Sequence, residues 1–434
     1  MYLAILGYLM IAVMMWGLLK GKFTPVVAFA ILPTIAGLLA GFTPVEISKF
    51  VSEGVPGTLN ATALAAFATV YFAIMTTEGL FDPIVSFLSK KAGGNVIAIM
   101  IITSIISAIS HMDTGTTSTV LVTIPAMLPL YKKFKIRVEY LFLLMAQSVA
   151  VINLLPHGGG MIRMSSVTGL DVSLMFKTIL PIILCMMVFN FVTAVFYGMR
   201  EQRRIAAGVA VEYGDVTDKK LETKAVRIDW RYWCNLILTL CLLGLMFEGS
   251  IKGYYVFMIG MALALLINYK NPKDQMNVLK EHASKAYPIV VVMLASGVLV
   301  GVMSGTGMLT EMANLVVSLI PEALKNFYGV IVGYLSIPLS ICLGADGFYY
   351  GLTPLFTQVG NVYGFSTLSI VTVMLLARDA FGMITPVSAV TYLAPGLLGK
   401  ELNVFIKFSF KYLLIFFTVE MLLCVLMGAM PLLV

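Results

Sequence analysis

Acidic and hydroxyl side chains interrupt an apolar part of the chain at HMDTGTTST, residues 111–119. The segment GADGFYY, residues 344–350, carries a second aspartate about 230 residues later. Ionisable residues inside a membrane segment are rare and are usually functional. The sequence therefore predicts that Asp113 and Asp346 bind a proton or a metal cation, directly or through a bound anion. His111 can titrate near neutral pH and is a further candidate for coupling.

Proline interrupts two other apolar segments, at NLLPHGGG (residues 153–160) and at MITPVSAVTY (residues 383–392). Proline opens a helix and frees carbonyl groups that can bind a cation, and the new helix N-terminus suits a carboxylate. Together with the hydroxyls, these groups fit a small, highly oxygenated anion with cations or protons beside it. The predicted substrate-binding residues are Thr114, Gly115, Thr116, Thr117, Ser118, Asn153, Pro156, His157, Gly158, Gly159, Gly347, Thr385, Pro386 and Ser388.

The elements that must position these residues are membrane helices. Of the 434 residues, 59% are hydrophobic and 12% are charged, and the mean hydropathy is +0.95. A soluble domain has about twice this share of charged residues, and repeated apolar runs of about 20 residues predict transmembrane helices. We therefore expect an all-α polytopic membrane protein. The sequence has no nucleophile–base set, phosphate-binding loop or zinc-ligand spacing, so we expect neither an enzyme nor a nucleic-acid partner.

Two apolar segments, 95–130 and 326–362, are too long for one helix, and their arms of about 11–17 residues are short for a full crossing. Both are predicted to be re-entrant hairpins that enter and leave on one side of the cell membrane. With the N-terminus outside, this topology places most lysines and arginines on the cytoplasmic side, as the positive-inside rule requires. If the first segment crossed instead, Lys90 and Lys91 would lie opposite the basic cluster at 132–137.

A charged stretch, 200–229, divides the chain into two halves with the same order of elements and is predicted to be a cytoplasmic linker. The first half, 1–199, is predicted to consist of scaffold spans over about 1–80, a hairpin at 95–130, a broken helix at 138–170 and a span at 178–199. The second half, 230–434, is predicted to contain a hairpin at 326–362 and a broken helix at 367–398. Because the hairpins open to opposite sides, the halves are predicted to be inverted repeats, which are common in secondary transporters.

Four stretches resemble the citrate–metal:proton symporter family (CitMHS) of the ion transporter superfamily. They are SHMDTGTTSTVLVTIPAMLPLYKKFKIR (110–137), NLLPHGGG (153–160), ADGFYYGLTPLFTQVGNVYG (345–364) and SAVTYLAPGLLGKEL (388–402). The resemblance covers essentially the whole chain. It implies proton-coupled uptake of citrate or a related carboxylate, usually as a complex with a divalent cation such as Mg2+ or Ca2+. It also implies a homodimer that moves its substrate by an elevator motion.

Two positions depart from the usual pattern of that family. Gly115 stands where the family more usually has a second acid, and His157 stands where it has a tryptophan. The lost carboxylate weakens the case for a bound metal or changes which metal fits. His157 offers either a cationic group for a bare carboxylate or an imidazole ligand for a softer metal. A Na+-coupled organic-anion carrier without metal, a cation/proton antiporter and a membrane subunit without transport of its own therefore stay open. The adjacent Arg378 and Asp379 are expected to form a structural ion pair.

Overall fold

The computed structural model describes residues 1–91, 94–209, 211, 213, 228–386 and 389–433. This part of the chain forms 19 α-helices and contains no strand. The helices of the first half are α1 (Tyr2–Leu19), α2 (Pro25–Leu39), α3 (Pro44–Thr77), α4 (Asp82–Lys91), α5 (Val96–Ser110), α6 (Thr116–Lys133), α7 (Val138–Asn153), α8 (Gly159–Thr168) and α9 (Val172–Ala206). The helices of the second half are α10 (Trp230–Glu248), α11 (Gly253–Asn268), α12 (Pro272–Gly305), α13 (Met308–Leu319), α14 (Glu322–Lys325), α15 (Tyr328–Asp346), α16 (Thr353–Val362), α17 (Thr367–Phe381), α18 (Leu393–Leu398) and α19 (Leu402–Leu426).

Eight helical segments among the described residues are long and apolar enough to cross a membrane. A helix satisfies all of its interior backbone groups by itself, which is why it can lie in hydrocarbon where no water is available. The prediction of an all-α polytopic membrane protein is confirmed. Shorter apolar helices such as α5, α7 and α11 lie between these spans.

The long helices α3 and α12 have 34 residues each and pack against one another. Their backbones come close where Gly54 meets Gly297 and Gly301. A Cβ atom on Gly54 would lie 2.3 Å from the Gly297 carbonyl oxygen and 2.6 Å from the Gly301 Cα atom. Small residues that admit such an approach are typical of helix interfaces in membranes, because dispersion contacts rather than the hydrophobic effect hold the helices together.

Ion pairs join helix ends that are far apart in the sequence. Lys400 before α19 donates to Glu139 in the first turn of α7 at 2.8 Å. The N-terminal amine binds Glu311 of α13 at 2.9 Å, and Lys252 before α11 binds Asp171 before α9 at 2.5 Å.

The chain reverses direction within each of the two long broken segments. Between α5 and α6, Thr103 Oγ1 lies 3.1 Å from the Tyr131 hydroxyl oxygen. Between α15 and α16, the Tyr328 hydroxyl donates to the Phe356 carbonyl oxygen at 3.1 Å. A straight helix would place residues 28 positions apart at a separation of about 42 Å. The second reversal occurs at Gly344, whose φ of 69° and ψ of −177° interrupt the helix.

Candidate functional site

The aspartate at the tip between α5 and α6 is held by its own turn. The Gly115 N–H donates to Asp113 Oδ1 at 2.8 Å, and the Ser118 hydroxyl donates to Oδ2 at 2.6 Å. Thr114 has a φ of 56°, which is a strained value for a β-branched residue. Asp113 is only half-buried, and a carboxylate has about four acceptor positions. Its oxygens can therefore accept further hydrogen bonds or bind a cation.

Helix α6 begins directly after this turn and has no side-chain cap. The first N–H groups of a helix have no partner within it, and they lie at the positive end of the helix dipole. Thr116 and Thr117 occupy the first two positions of α6, and Thr117 is exposed. The tip therefore offers hydroxyls and N–H groups, which suit an anion, immediately beside a carboxylate, which suits a cation or proton.

Two buried histidines join the tip to the break between α7 and α8. His111 Nε2 lies 3.0 Å from Asn153 Oδ1 at the end of α7. His157 Nε2 donates to the Met112 carbonyl oxygen at 2.9 Å, and its ring stacks on Phe72 with the centroids 4.5 Å apart. A carbonyl oxygen only accepts, so Nε2 of His157 carries the hydrogen. Its Nδ1 has no hydrogen-bond partner among the described residues.

The break itself depends on a glycine. After α7 ends at Asn153, Pro156 lacks an N–H group and Gly158 caps the start of α8. A Cβ atom on Gly158 would lie 1.8 Å from the Asn153 carbonyl oxygen, so any larger residue would force this turn apart. Helix α8 begins at Gly159 without a side-chain cap and provides the second open helix N-terminus of the region.

An arginine that was not among the predicted site residues connects this break to the second hairpin. Arg163 of α8 donates through Nε to Asp346 Oδ1 at 3.0 Å, and through a terminal nitrogen to the Gly159 carbonyl oxygen, also at 3.0 Å. The Arg163 and Asp346 side chains are 20% and 29% exposed, so neither of them is fully buried. A charged residue inside a broken membrane helix was the signal that could have identified Arg163.

The second hairpin brings a tyrosine against the same helix. After Asp346 the chain forms a π-helical segment, Gly347–Leu352, and such segments are frequent at functional sites. The Tyr349 hydroxyl would lie 2.5 Å from a Cβ atom on Gly160, so it packs directly on the backbone of α8. It also donates to Asp379 Oδ1 of α17 at 3.4 Å.

The second break follows α17 and contacts the first hairpin. The buried Thr385 donates to the Phe381 carbonyl oxygen at 3.1 Å, while Pro386 is exposed and its carbonyl oxygen accepts from Tyr392 at 3.0 Å. Helix α18 packs on α6, and α17 packs on α7. The predicted site residue Ser388 lies outside the described residues.

The structure therefore joins one group of the predicted residues directly and leaves others apart. The first tip, the first break and Asp346 are linked through the two histidines and Arg163. Within the described residues, Asp113 and Asp346 share no hydrogen-bond or ion-pair partner. In the same part of the chain, no group of three His, Cys, Asp or Glu side chains could hold a metal ion. Among the charged side chains of this region, Arg163 is the cation that can recognise an anion, and Asp113 and Asp346 are the carboxylates.

The model of the citrate transporter family (CitMHS) matches residues 4–377 of this chain. The chain belongs to the citrate transporter family. The matched range includes both hairpins, the first break and Arg163. The family resemblance inferred from the hairpin tips is therefore confirmed, and this citrate-family protein is a transporter and not an enzyme.

Three curated relatives from Bacillus subtilis (strain 168) are similar along nearly their whole length. The uncharacterized transporter YraO is 30% identical and covers 99% of this chain and 100% of its own. A citrate transporter is 28% identical, with 94% and 95% covered. An Mg(2+)/citrate complex secondary transporter is 28% identical, with 98% and 99% covered.

The chain superimposes on the solved structure of the YdaH transporter of Alcanivorax borkumensis with a TM-score of 0.59. That structure is described as having an unusual topology. The two proteins are 14% identical, and 87% of each chain is covered. At this identity the likeness concerns the fold alone. It shows that the helix arrangement of this citrate-family protein occurs in another membrane transporter.

Proposed function

We propose that this protein is a symporter that carries citrate or a related di- or tricarboxylate together with protons. The observation that supports this most strongly is the position of Arg163, a cation one turn into α8, just after the first break and next to the tip of the second hairpin. Arg163 is paired with Asp346 by a single 3.0 Å hydrogen bond and is partly exposed. Guanidinium groups bind carboxylates through paired, charge-assisted hydrogen bonds, so Arg163 can transfer from Asp346 to a substrate carboxylate.

The two open helix N-termini complete an anion site around this arginine. Helices α6 and α8 both follow a glycine at the N-cap position, Gly115 and Gly158, which provides no side-chain cap. Citrate carries three carboxylates and a hydroxyl, so one guanidinium cannot neutralise it. Free backbone N–H groups at helix starts bind anions, and the hydroxyls of Thr116 and Thr117 replace hydration water.

The divalent cation, Mg2+ or Ca2+, is proposed to travel as part of the cargo. Both cations prefer oxygen ligands, and Mg2+ keeps several of its waters when bound. Citrate supplies most of the oxygens in such a complex, so the chain has to add only one or two. Asp113 is the carboxylate in the best position to do so, because it is half-buried and its present partners occupy only part of its acceptor capacity.

The architecture around the site is proposed to be a pair of inverted repeats in a homodimeric elevator in the cell membrane, with the N-terminus outside. Helices α3 and α12, of equal length, occupy corresponding places in the two halves. Helices α7 and α17, each of which precedes a break, correspond in the same way about 230 residues apart. In this proposal Lys400 lies on the cytoplasmic side, where the positive-inside rule favours it.

Transport by purified protein in liposomes tests the function. Labelled citrate is offered with and without Mg2+, with and without Na+, and with an inward proton gradient. We expect accumulation that depends on the proton gradient and increases with Mg2+. Arg163→Gln should abolish saturable uptake, and Arg163→Lys, which keeps the charge but loses the planar donors, should retain part of it. Failure of the wild-type protein to bind or carry any di- or tricarboxylate would refute the proposal.

The same uptake measurements distinguish the proposed proton-coupled symporter from a carrier that binds no metal. The Arg163–Asp346 pair favours recognition of a bare carboxylate, because it supplies a cation without any metal. Uptake driven by Na+ and insensitive to Mg2+ would identify a Na+-coupled organic-anion carrier instead.

A further inference from the structure

A buried carboxyl group lies just before the second break and forms no salt bridge with any described residue. Asp379, near the end of α17, is 5% exposed, and its Oδ2 atom has no hydrogen-bond partner among the described residues. The preceding Arg378 is 8% exposed, and its Nε atom is equally without a partner in this part of the chain. No salt bridge within 4.0 Å joins these two described residues, so the expected structural ion pair is wrong. Consecutive residues on a helix point in different directions, which explains why they do not meet.

Ionisation of Asp379 is opposed by burial and favoured by the nearby cations Arg378 and Arg163, neither of which forms a salt bridge or hydrogen bond with it among the described residues. Burying a charge without a direct partner costs several kcal/mol, and such a group commonly becomes neutral by binding a proton. The Oδ2 atom of Asp379 accepts no hydrogen bond that would stabilise a negative charge on it. The protonation of Asp379 therefore depends on the groups around it, and a change in their positions can bind or release a proton.

The surroundings of Asp379 are connected to the substrate site. Tyr349 donates to Asp379 Oδ1 at 3.4 Å, and its hydroxyl packs on the backbone of Gly160 at the start of α8. Tyr349 belongs to the second hairpin, three residues after Asp346, which is the partner of Arg163. A movement of this hairpin when a carboxylate takes Arg163 would therefore alter the hydrogen bond to Asp379.

The titratable and charged groups that act on Asp379 come from four elements. They are Tyr349 from the second hairpin, Arg163 from α8, Arg378 from α17 itself and Glu420 from α19. Glu420 is also buried, at 1% exposed, and has an unpartnered Oε2 atom. However, no hydrogen bond joins Glu420 to either hairpin within the described residues. Only Asp379 is in contact with the moving part of the proposed site.

We propose that Asp379 is the binding site of the coupling proton and that Tyr349 connects it to the substrate site. The proton binds to the Asp379 carboxylate on one side of the membrane and leaves it on the other, and no other bond forms or breaks. This inference rests on the proposed proton-coupled function, since it assigns the coupling step of that transporter to a residue outside the substrate site.

Asp379→Asn tests the assignment, because asparagine has the shape of the protonated acid but cannot release a proton. Two rates are measured in proteoliposomes: exchange of internal for external labelled citrate, and accumulation driven by an inward proton gradient. We expect Asp379→Asn to retain exchange and to lose accumulation. Glu420→Gln is the matched control, a second buried acid neutralised on a neighbouring helix, and it should retain both.

Tyr349→Phe provides a second variant that leaves the carboxyl group in place. It should lower accumulation relative to exchange, since the connection to Asp379 is broken while citrate still binds. Full proton-driven accumulation by Asp379→Asn would overturn the inference, as would loss of coupling in Glu420→Gln alone. Loss of both exchange and accumulation in Asp379→Asn, with wild-type stabilisation by citrate against heat, would also overturn it. If the wild-type protein itself exchanges no carboxylate, the proposed function fails and not only this assignment.

Discussion

The variant Asp346→Asn tests whether Asp346 competes with the substrate for Arg163 or itself helps to hold the substrate. The aspartate accepts a hydrogen bond at one edge of the guanidinium group, and an incoming carboxylate that uses this edge has to displace it. Exposed ion pairs contribute about 0–1 kcal/mol, and breaking a buried pair costs about 3–5 kcal/mol. With the two side chains 20% and 29% exposed, a value of about 1.4 kcal/mol is reasonable for this pair, which corresponds to about tenfold in Kd.

We therefore expect Asp346→Asn to bind free citrate about tenfold more tightly than the wild-type protein. The gain should be smaller for citrate with excess Mg2+, because the substitution also removes a carboxylate that can contact a metal. Titration calorimetry on the purified protein, with citrate in chelator and citrate in Mg2+, measures both values. Asp171→Asn is a suitable control, because it removes an aspartate from another ion pair at one end of the bundle.

The reasoning would be refuted if Asp346→Asn weakened the binding of free citrate while the thermal stability of the empty protein stayed at the wild-type value. Such a result would mean that Asp346 supports the anion site and does not compete with it. If Asp346→Asn changed the Kd for citrate by the same factor with and without Mg2+, contact between Asp346 and the metal would be excluded.

Three further predictions concern the stability of the described segments. Gly158→Ala should lower the unfolding free energy by about 3 kcal/mol or more and abolish citrate binding, because its Cβ would lie 1.8 Å from a backbone oxygen. A thermal melting assay measures the loss of stability. Gly57 has open space around it, so the control Gly57→Ala should be near neutral in that assay. Thr114→Gly should raise the unfolding free energy by about 1 kcal/mol, since the φ of 56° no longer strains a β-branched residue; an unchanged or lower melting temperature would argue against strain at the tip. Burial raises the pKa of the Asp171 carboxyl, but hydrogen bonds from Lys252 and from the first turn of α9 outweigh it and hold the pKa below its usual range. A carboxyl group with a lowered pKa stabilises the fold at a pH above its unfolded-state pKa, and this stabilisation is lost as the pH falls through the folded-state pKa. Asp171→Asn should therefore lower the unfolding free energy by about 0.5 kcal/mol at neutral pH, the value for an exposed ion pair. The melting temperatures of the two proteins should converge in acid.

Hydropathy predicted the class of the fold but not the extent of its longest helices. The apolar run at 58–78 corresponds only to the second part of α3, which begins at Pro44. Its first turns carry the charged residues Glu46, Lys49 and Glu53, so they do not appear in an apolar run. Thr43 and Glu46 form a capping box with Pro44 at the first helical position. These local features were available in the sequence as a start signal.

The types of residue in the candidate site could be predicted from the sequence, but the side chains that each of them pairs with could not. Asp113 and Asp346 were identified because carboxylates are rare at membrane depth. The partner of Asp346 is Arg163, 183 positions away, and no local pattern encodes a contact over such a distance. Arg378 and Asp379 show the opposite error, because adjacency in the sequence suggested a pair that helix geometry does not allow.

The Arg163–Asp346 pair also bears on how the protein responds to the membrane voltage. Moving one elementary charge across 100 mV involves about 2.3 kcal/mol, and a lone guanidinium or a lone carboxylate in a mobile site would be subject to that force. Because the two charges are 3.0 Å apart and opposite, they cancel in any movement that carries both. These two residues should therefore add no net charge to the electrical sensitivity of a transport cycle in this protein.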